Sequence, residues 1–153
     1  KALYKIPLPK KNEQKKAILE TYTKEYSAEY QSQAIIDIAK KLNITSGWIS
    51  GIGAIEEITV GMYHIDTKVY DKKRFNDEYE LLSFQGNISL KNGSPFVHAH
   101  IAFSDSEYNA FGGHLFETKI YAAGEFVIHK SEGKIERKMN NFVGLPLWCL
   151  DNE

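Results

Sequence analysis

Apolar side chains recur every three to four residues over one stretch of this chain and near every second residue over most of the remainder. Tyr30, Ala34, Ile38 and Leu42 stand four apart, and Ile35 and Ala39 widen the stripe. This spacing predicts an amphipathic helix, with Ser27 as a possible N-cap and Asn43, after Lys40-Lys41, as its stop. Extended segments are predicted at Ile55–Ile65, Tyr79–Leu90, Phe96–Phe103, Leu115–Ala122, Glu125–Lys130 and Leu147–Leu150. Asn92-Gly93 marks a hairpin that returns Phe96–Phe103 antiparallel. Gly47–Ala54 reads as a glycine-punctuated turn, Asp71-Lys72-Lys73-Arg74 as a charged loop, and Ser131-Glu132-Gly133-Lys134 as a turn. Upstream, Pro7 and Pro9 interrupt the pattern, and Ile18–Tyr26 reads as a strand, with a helix begun at Asn12 as the alternative. The expected architecture is α+β: a single compact domain, a mostly antiparallel sheet with one or two packed helices.

Composition narrows the class. At 153 residues with 42% hydrophobic and 25% charged side chains, the chain is long enough for one well-buried core without a disulfide or metal staple. Its formal charge is −1, but Lys1, Lys5, Lys10, Lys11, Lys15 and Lys16 face only Glu13 within the first sixteen residues. That arm carries +5 and the remainder −6, which excludes a uniformly basic nucleic-acid coat protein. The arm reads either as a solvated face or as an anion-seeking segment in which the six lysines meet nucleic-acid phosphates. The single Cys149 forms no internal disulfide and reads as a small packed hydrophobe. No run of about 18 apolar residues and no secretory core is present, so the expectation is a cytoplasmic protein with no membrane partner.

Candidate chemistry gathers at three of the five histidines. His98 and His100 alternate by two, so on a strand they share one face roughly 7 Å apart. His114 follows Gly112-Gly113, where missing side chains let backbone approach a neighbouring strand. Three neutral imidazoles suit a divalent transition metal, zinc first, and occupancy is expected to fall as the pH drops through about 6. Glu80 and Glu125 are the candidate catalytic acids or bases, and His64 and His129 read as structural. Gly51-Ile52-Gly53 lacks the third glycine of a dinucleotide-binding turn, and no nucleophile elbow or phosphate loop is present. His-x-His also occurs in cupins, but Asp105 stands where their glutamate follows, and Gly93 is one residue too close.

Gly51-Ile52-Gly53-Ala54, Tyr79-Glu80-Leu81-Leu82, Gly86-Asn87-Ile88-Ser89, His98-Ala99-His100, Gly112-Gly113-His114-Leu115 and Gly124-Glu125-Phe126 occur in that order. The series resembles the PPC domain (plants and prokaryotes conserved), which accompanies AT-hooks in plant nuclear proteins. The resemblance divides the chain into a lysine-rich arm and first strand region at 1–27 and a PPC-like domain at 28–153. It implies an antiparallel α+β fold, a homotrimer, association with DNA, and His98, His100 and His114 as metal ligands. Glu78 stands at the position of the arginine in the plant Gly-Arg-Phe-Glu-Ile-Leu segment, and no Arg-Gly-Arg-Pro hook is present. Two functions follow: a DNA-associated regulator, or a metal-dependent enzyme or small-molecule binder at the same histidines. Catalysis is left open, with the balance against it.

Overall fold

A computed structural model describes residues 16–22 and 31–150. Lys1, Lys5, Lys10, Lys11 and Lys15, the proposed Ser27 cap and the alternative helix from Asn12 lie outside the described residues. The elements are β1 (Lys16–Tyr22), α1 (Gln31–Lys41), β2 (Gly47–His64), β3 (Val69–Phe75), β4 (Tyr79–Lys91), β5 (Ser94–Ser104), β6 (Ala110–Lys130), β7 (Glu136–Asn140) and β8 (Leu145–Cys149). Among the described residues, one short helix packs on β5 and β6 of an eight-stranded sheet in which only the β4–β7 pairing is parallel. The domain is α+β and mostly β. None of the described helices is long and apolar enough to cross a membrane.

Two segments read from sequence as loops are strand. The glycines of Gly47–Ala54 do not make a turn: this stretch is the first half of the 18-residue β2. It is sandwiched between β4 and β6, and a Cβ on Gly53 would stand 2.5 Å from the Ala123 carbonyl oxygen. Glycine there permits close strand approach rather than a reversal. Asp71–Arg74 belongs to β3, an edge strand whose charged side chains face solvent while its backbone pairs with Ile58–His64. Leu115–Ala122 and Glu125–Lys130 are likewise one strand, β6, 21 residues long. The expected hairpin at Asn92-Gly93 forms, with φ of 53° and 74°, the double left-handed geometry of a two-residue turn.

The long strands let the sheet close on itself. β2 pairs with β4 through Gly47–Ile55, then with β3 through Ile58–His64, while β6 runs along its other side. Since β4 pairs with β5 and β5 with β6, the strands β2, β4, β5 and β6 form a ring. The bend falls at the irregular pairing between Glu56 and Thr59, where Glu57 has a left-handed φ of 50°. Glu57 is held there by Lys119 and by Arg74; the Lys119 hydrogen bond above all, with the charges of both, lowers its pKa against the effect of burial.

One apolar cluster fills the interior, with Ile49, Ile55, Ile58, Phe84, Phe103 and Ile128 at 0–1% exposure. The helix joins it through Ile35 and Ala39, while Leu42, at the end of the predicted stripe, is half exposed. The stripe is therefore centred one residue later than the four-residue spacing suggests. Asn43, at φ 51°, ends the helix in the left-handed conformation expected of its stop.

Candidate metal centre

Alternation on β5 sends Val97, Ala99, Ile101 and Phe103 inward and His98 and His100 outward. His100 lies directly opposite His114 on β6, and His98 lies opposite Asn87 on β4. Gly112 sits where a Cβ would come within 2.7 Å of the Ile101 carbonyl oxygen, so the β5–β6 hairpin closes tightly just before His114. The result is a triangle of imidazoles with ring centroids 5.1–5.3 Å apart. One nitrogen from each ring falls within 4.8 Å of the others, the arrangement of a three-ligand site for a single ion.

The fit to a metal rests on His114. Its Nδ1 is buried without a hydrogen-bond partner, the one such side-chain atom among the described residues. An unpartnered buried polar atom costs about 1–3 kcal/mol, and a cation bound among the three rings is one way to offset that cost. Tyr70 and Phe116 pack on the same ring, with centroids 5.0 Å away, and shield it from water. Burial, followed by His98, His100 and Lys72, lowers the His114 pKa to about 4. Burial, then Arg137 and His100, lowers that of His98. Both rings therefore stand neutral, with lone pairs available, at neutral pH.

The other sequence candidates lie apart from this triangle. Glu80 pairs with Ser104, four residues beyond His100, and shares a shallow depression with Glu125, Ile52 and Leu82. His64 ends β2 and His129 faces Trp48 near the end of β6, both exposed. Asp105, at the cupin-like position, accepts hydrogen bonds from the Glu107 and Asn109 backbone and closes the β5–β6 turn instead of facing the histidines. Cys149 is free and half-buried on β8.

Four surrounding residues escaped the sequence reading. Lys72 was hidden by reading Asp71–Arg74 as a charged loop, and Tyr70 stands just before that stretch on the same strand. Lys72 lies across the glycine gap at Gly61 from His114, its Nζ 3.8 Å from the centre of the Phe116 ring. Asn87 and Arg137 meet only in space. Arg137, 8% exposed, donates to Ser89 Oγ at 2.7 Å, to Asn87 Oδ1 at 2.8 Å and to the Pro146 carbonyl at 2.8 Å.

Fold and site together define a β-rich domain carrying a histidine triad on its outer sheet face. Residues 29–132 match the domain family described as Plants and Prokaryotes Conserved (PCC), and the chain belongs to that family. Three crystal structures resemble it over most of their length. A Bacteroides thetaiotaomicron protein proposed to bind DNA is 34% identical, with TM-score 0.81, covering 88% of this chain and 91% of its own. A plant- and prokaryote-conserved protein of Pyrococcus horikoshii is 31% identical with TM-score 0.79, and both chains are covered fully. A metal-containing protein of Archaeoglobus fulgidus is 28% identical with TM-score 0.77, covering 97% of this chain and 99% of that one.

Proposed function

We propose that this protein is a metal-binding, DNA-associated regulator in which His98, His100 and His114 hold one divalent transition ion, zinc first. The observation that carries the metal is the convergence of three imidazole nitrogens, one each from His98, His100 and His114, within 4.8 Å of one another. The description of the Archaeoglobus fulgidus relative as metal-containing supports it. Nitrogen ligands favour zinc or another late first-row ion over magnesium or calcium, which prefer oxygen. Elemental analysis of protein purified without chelator is expected to give about one ion per chain. A chain that stays metal-free after reconstitution overturns the reading. The half-exposed position of the triad also favours a second reading, a metal-dependent enzyme or binder of a small molecule at the same histidines. The single cysteine supports a cytoplasmic, reducing setting.

DNA association draws on the proposal made for the Bacteroides relative and on the lysine arm. With Arg74 in ion pairs with Glu57 and Glu117, and Arg137 buried, neither arginine is free to read bases. Binding is therefore expected to be phosphate-driven, through Lys1, Lys5, Lys10, Lys11, Lys15 and Lys16, and steeply salt-dependent. Deleting residues 1–16 is expected to remove most affinity for duplex DNA in a low-salt mobility-shift assay. Undiminished binding moves the contact to the sheet.

The assembly is proposed to be a homotrimer. Trp48, Ile52 and Leu82 lie about half exposed on the outer sheet face, an apolar patch suited to burial against a second copy. Phe96–Phe103 adds little to such a patch, because Ala99, Ile101 and Phe103 point inward, with Phe103 at 0% exposure. Light scattering is expected to give about 52 kDa, three times the 17.4 kDa chain. A monomer across micromolar concentrations excludes the trimer.

A further inference from the structure

Two cations flank the histidine triad, Lys72 on β3 and Arg137 on β7. Lys72 stands on its β3 side, across the gap left by Gly61, with its Nζ 3.8 Å from the centre of the Phe116 ring that packs on His114. Arg137 stands on its β4 side, bonded to the Asn87 that lies opposite His98. No carboxylate joins the cluster among the described residues. Arg137 takes part in none of the ion pairs of the described residues. Its guanidinium is buried on three neutral acceptors, with two of its five N–H groups uncommitted. Burying an arginine without a counter-ion is costly, and a negatively charged partner offsets that cost. Three neutral imidazoles also leave a divalent ion with its full charge.

We propose that the triad and its two flanking cations form a receptor for a small oxyanion, a carboxylate or phosphate group, bound at the ion between Lys72 and Arg137. This inference rests on the metal reading and adds the class of ligand to it. A built-in carboxylate would neutralise the ion within the protein, whereas this site leaves the negative charge to be supplied by the ligand. The planar guanidinium and the point-like ammonium both suit oxyanions, the first by paired hydrogen bonds and the second by charge. A neutral ligand such as water or an alcohol leaves two cations facing a dication without compensation.

The test uses the full chain loaded with cobalt(II), whose visible absorption responds to its ligands, titrated at neutral pH with inorganic phosphate and with acetate. A saturable spectral change with either anion is expected. Lys72→Gln, an exposed position, is expected to weaken anion affinity about tenfold while cobalt binds at least as tightly, because a repelling charge has gone. Arg137→Lys is expected to act in the same direction, and Lys134→Gln, on an exposed turn, to change nothing. Cobalt uptake with no response to either anion, or equal anion affinity in the parent and Lys72→Gln, overturns the inference and leaves the metal reading standing. Failure to take up cobalt at all overturns both. Displacement of bound phosphate by duplex DNA lacking terminal phosphates assigns the site to a nucleic-acid backbone and overturns the small-ligand assignment.

Discussion

Replacing His114 with alanine is expected to lower affinity for zinc or cobalt by about 100-fold or more, since losing even an outer partner of a metal ligand costs on the order of 10–100-fold. His114 contributes the most shielded of the three rings and the orphaned nitrogen, so its loss removes a ligand that was already desolvated. His98→Ala is expected to act similarly. Exposed His129, which is outside the triad, is a control, because His129→Ala leaves the three rings intact. Competition with a chromophoric chelator measures all three. Equal affinity in parent and His114→Ala removes the triad as the site.

The pH dependence of the metal-free protein has a definite sign. His98 and His114 have folded pKa values below the ordinary histidine value of 6.5, so the unfolded chain binds more protons in that range. Their contribution to stability is present above 6.5 and is lost as the pH falls toward about 4, the value for His114. The same neutral rings compete less with protons, so metal release is expected below the pH near 6 that ordinary histidines would give. Titration of bound cobalt against pH, beside metal-free denaturation curves, checks both.

Phe84→Ala is expected to be the most damaging single truncation in the core, at about 3–5 kcal/mol. Phe84 is fully buried in the middle of β4 and meets Phe126 of β6 edge to face at 5.4 Å. Strands β2, β4 and β6 crowd around this pair: a Cβ on Gly51 would collide with the Phe126 ring, and one on Gly86 would come within 3.2 Å of Phe84. Backbone packed this closely cannot collapse into the space a missing ring leaves. Against a typical total of about 5–15 kcal/mol, such a loss takes a large share of the stability. Leu42→Ala, at a half-exposed helix end, is expected to stay within about 0.5 kcal/mol. Urea denaturation of both variants makes the comparison, and similar midpoints would show that the ring pair does not anchor the closed sheet.

Local pattern was enough where the determinant is local. Asn92-Gly93 specified its turn through backbone conformation alone, and the alternation of His98 and His100 put both on one outer face because side chains alternate along any strand. The ordered motifs pointed to the family that residues 29–132 match. What the sequence left undecided depended on neighbours distant along the chain. Glycines at 47, 51 and 53 have the same composition whether they turn the chain or let strands crowd, and only pairing with β4 and β6 selects the second. The charges of Asp71–Arg74 look like a loop because an edge strand exposed to water needs no apolar alternation. Arg137 carries no pattern at all in sequence. Its place beside the histidines comes from β7 lying parallel to β4, which brings residues 50 positions apart within hydrogen-bonding distance. The sequence thus determined the ligand types and the face they occupy, because both follow from residue chemistry and strand periodicity. The closure of the sheet, the burial of His114 and the positive surroundings of the triad were decided by tertiary structure, because they arise only when separate strands are brought into register.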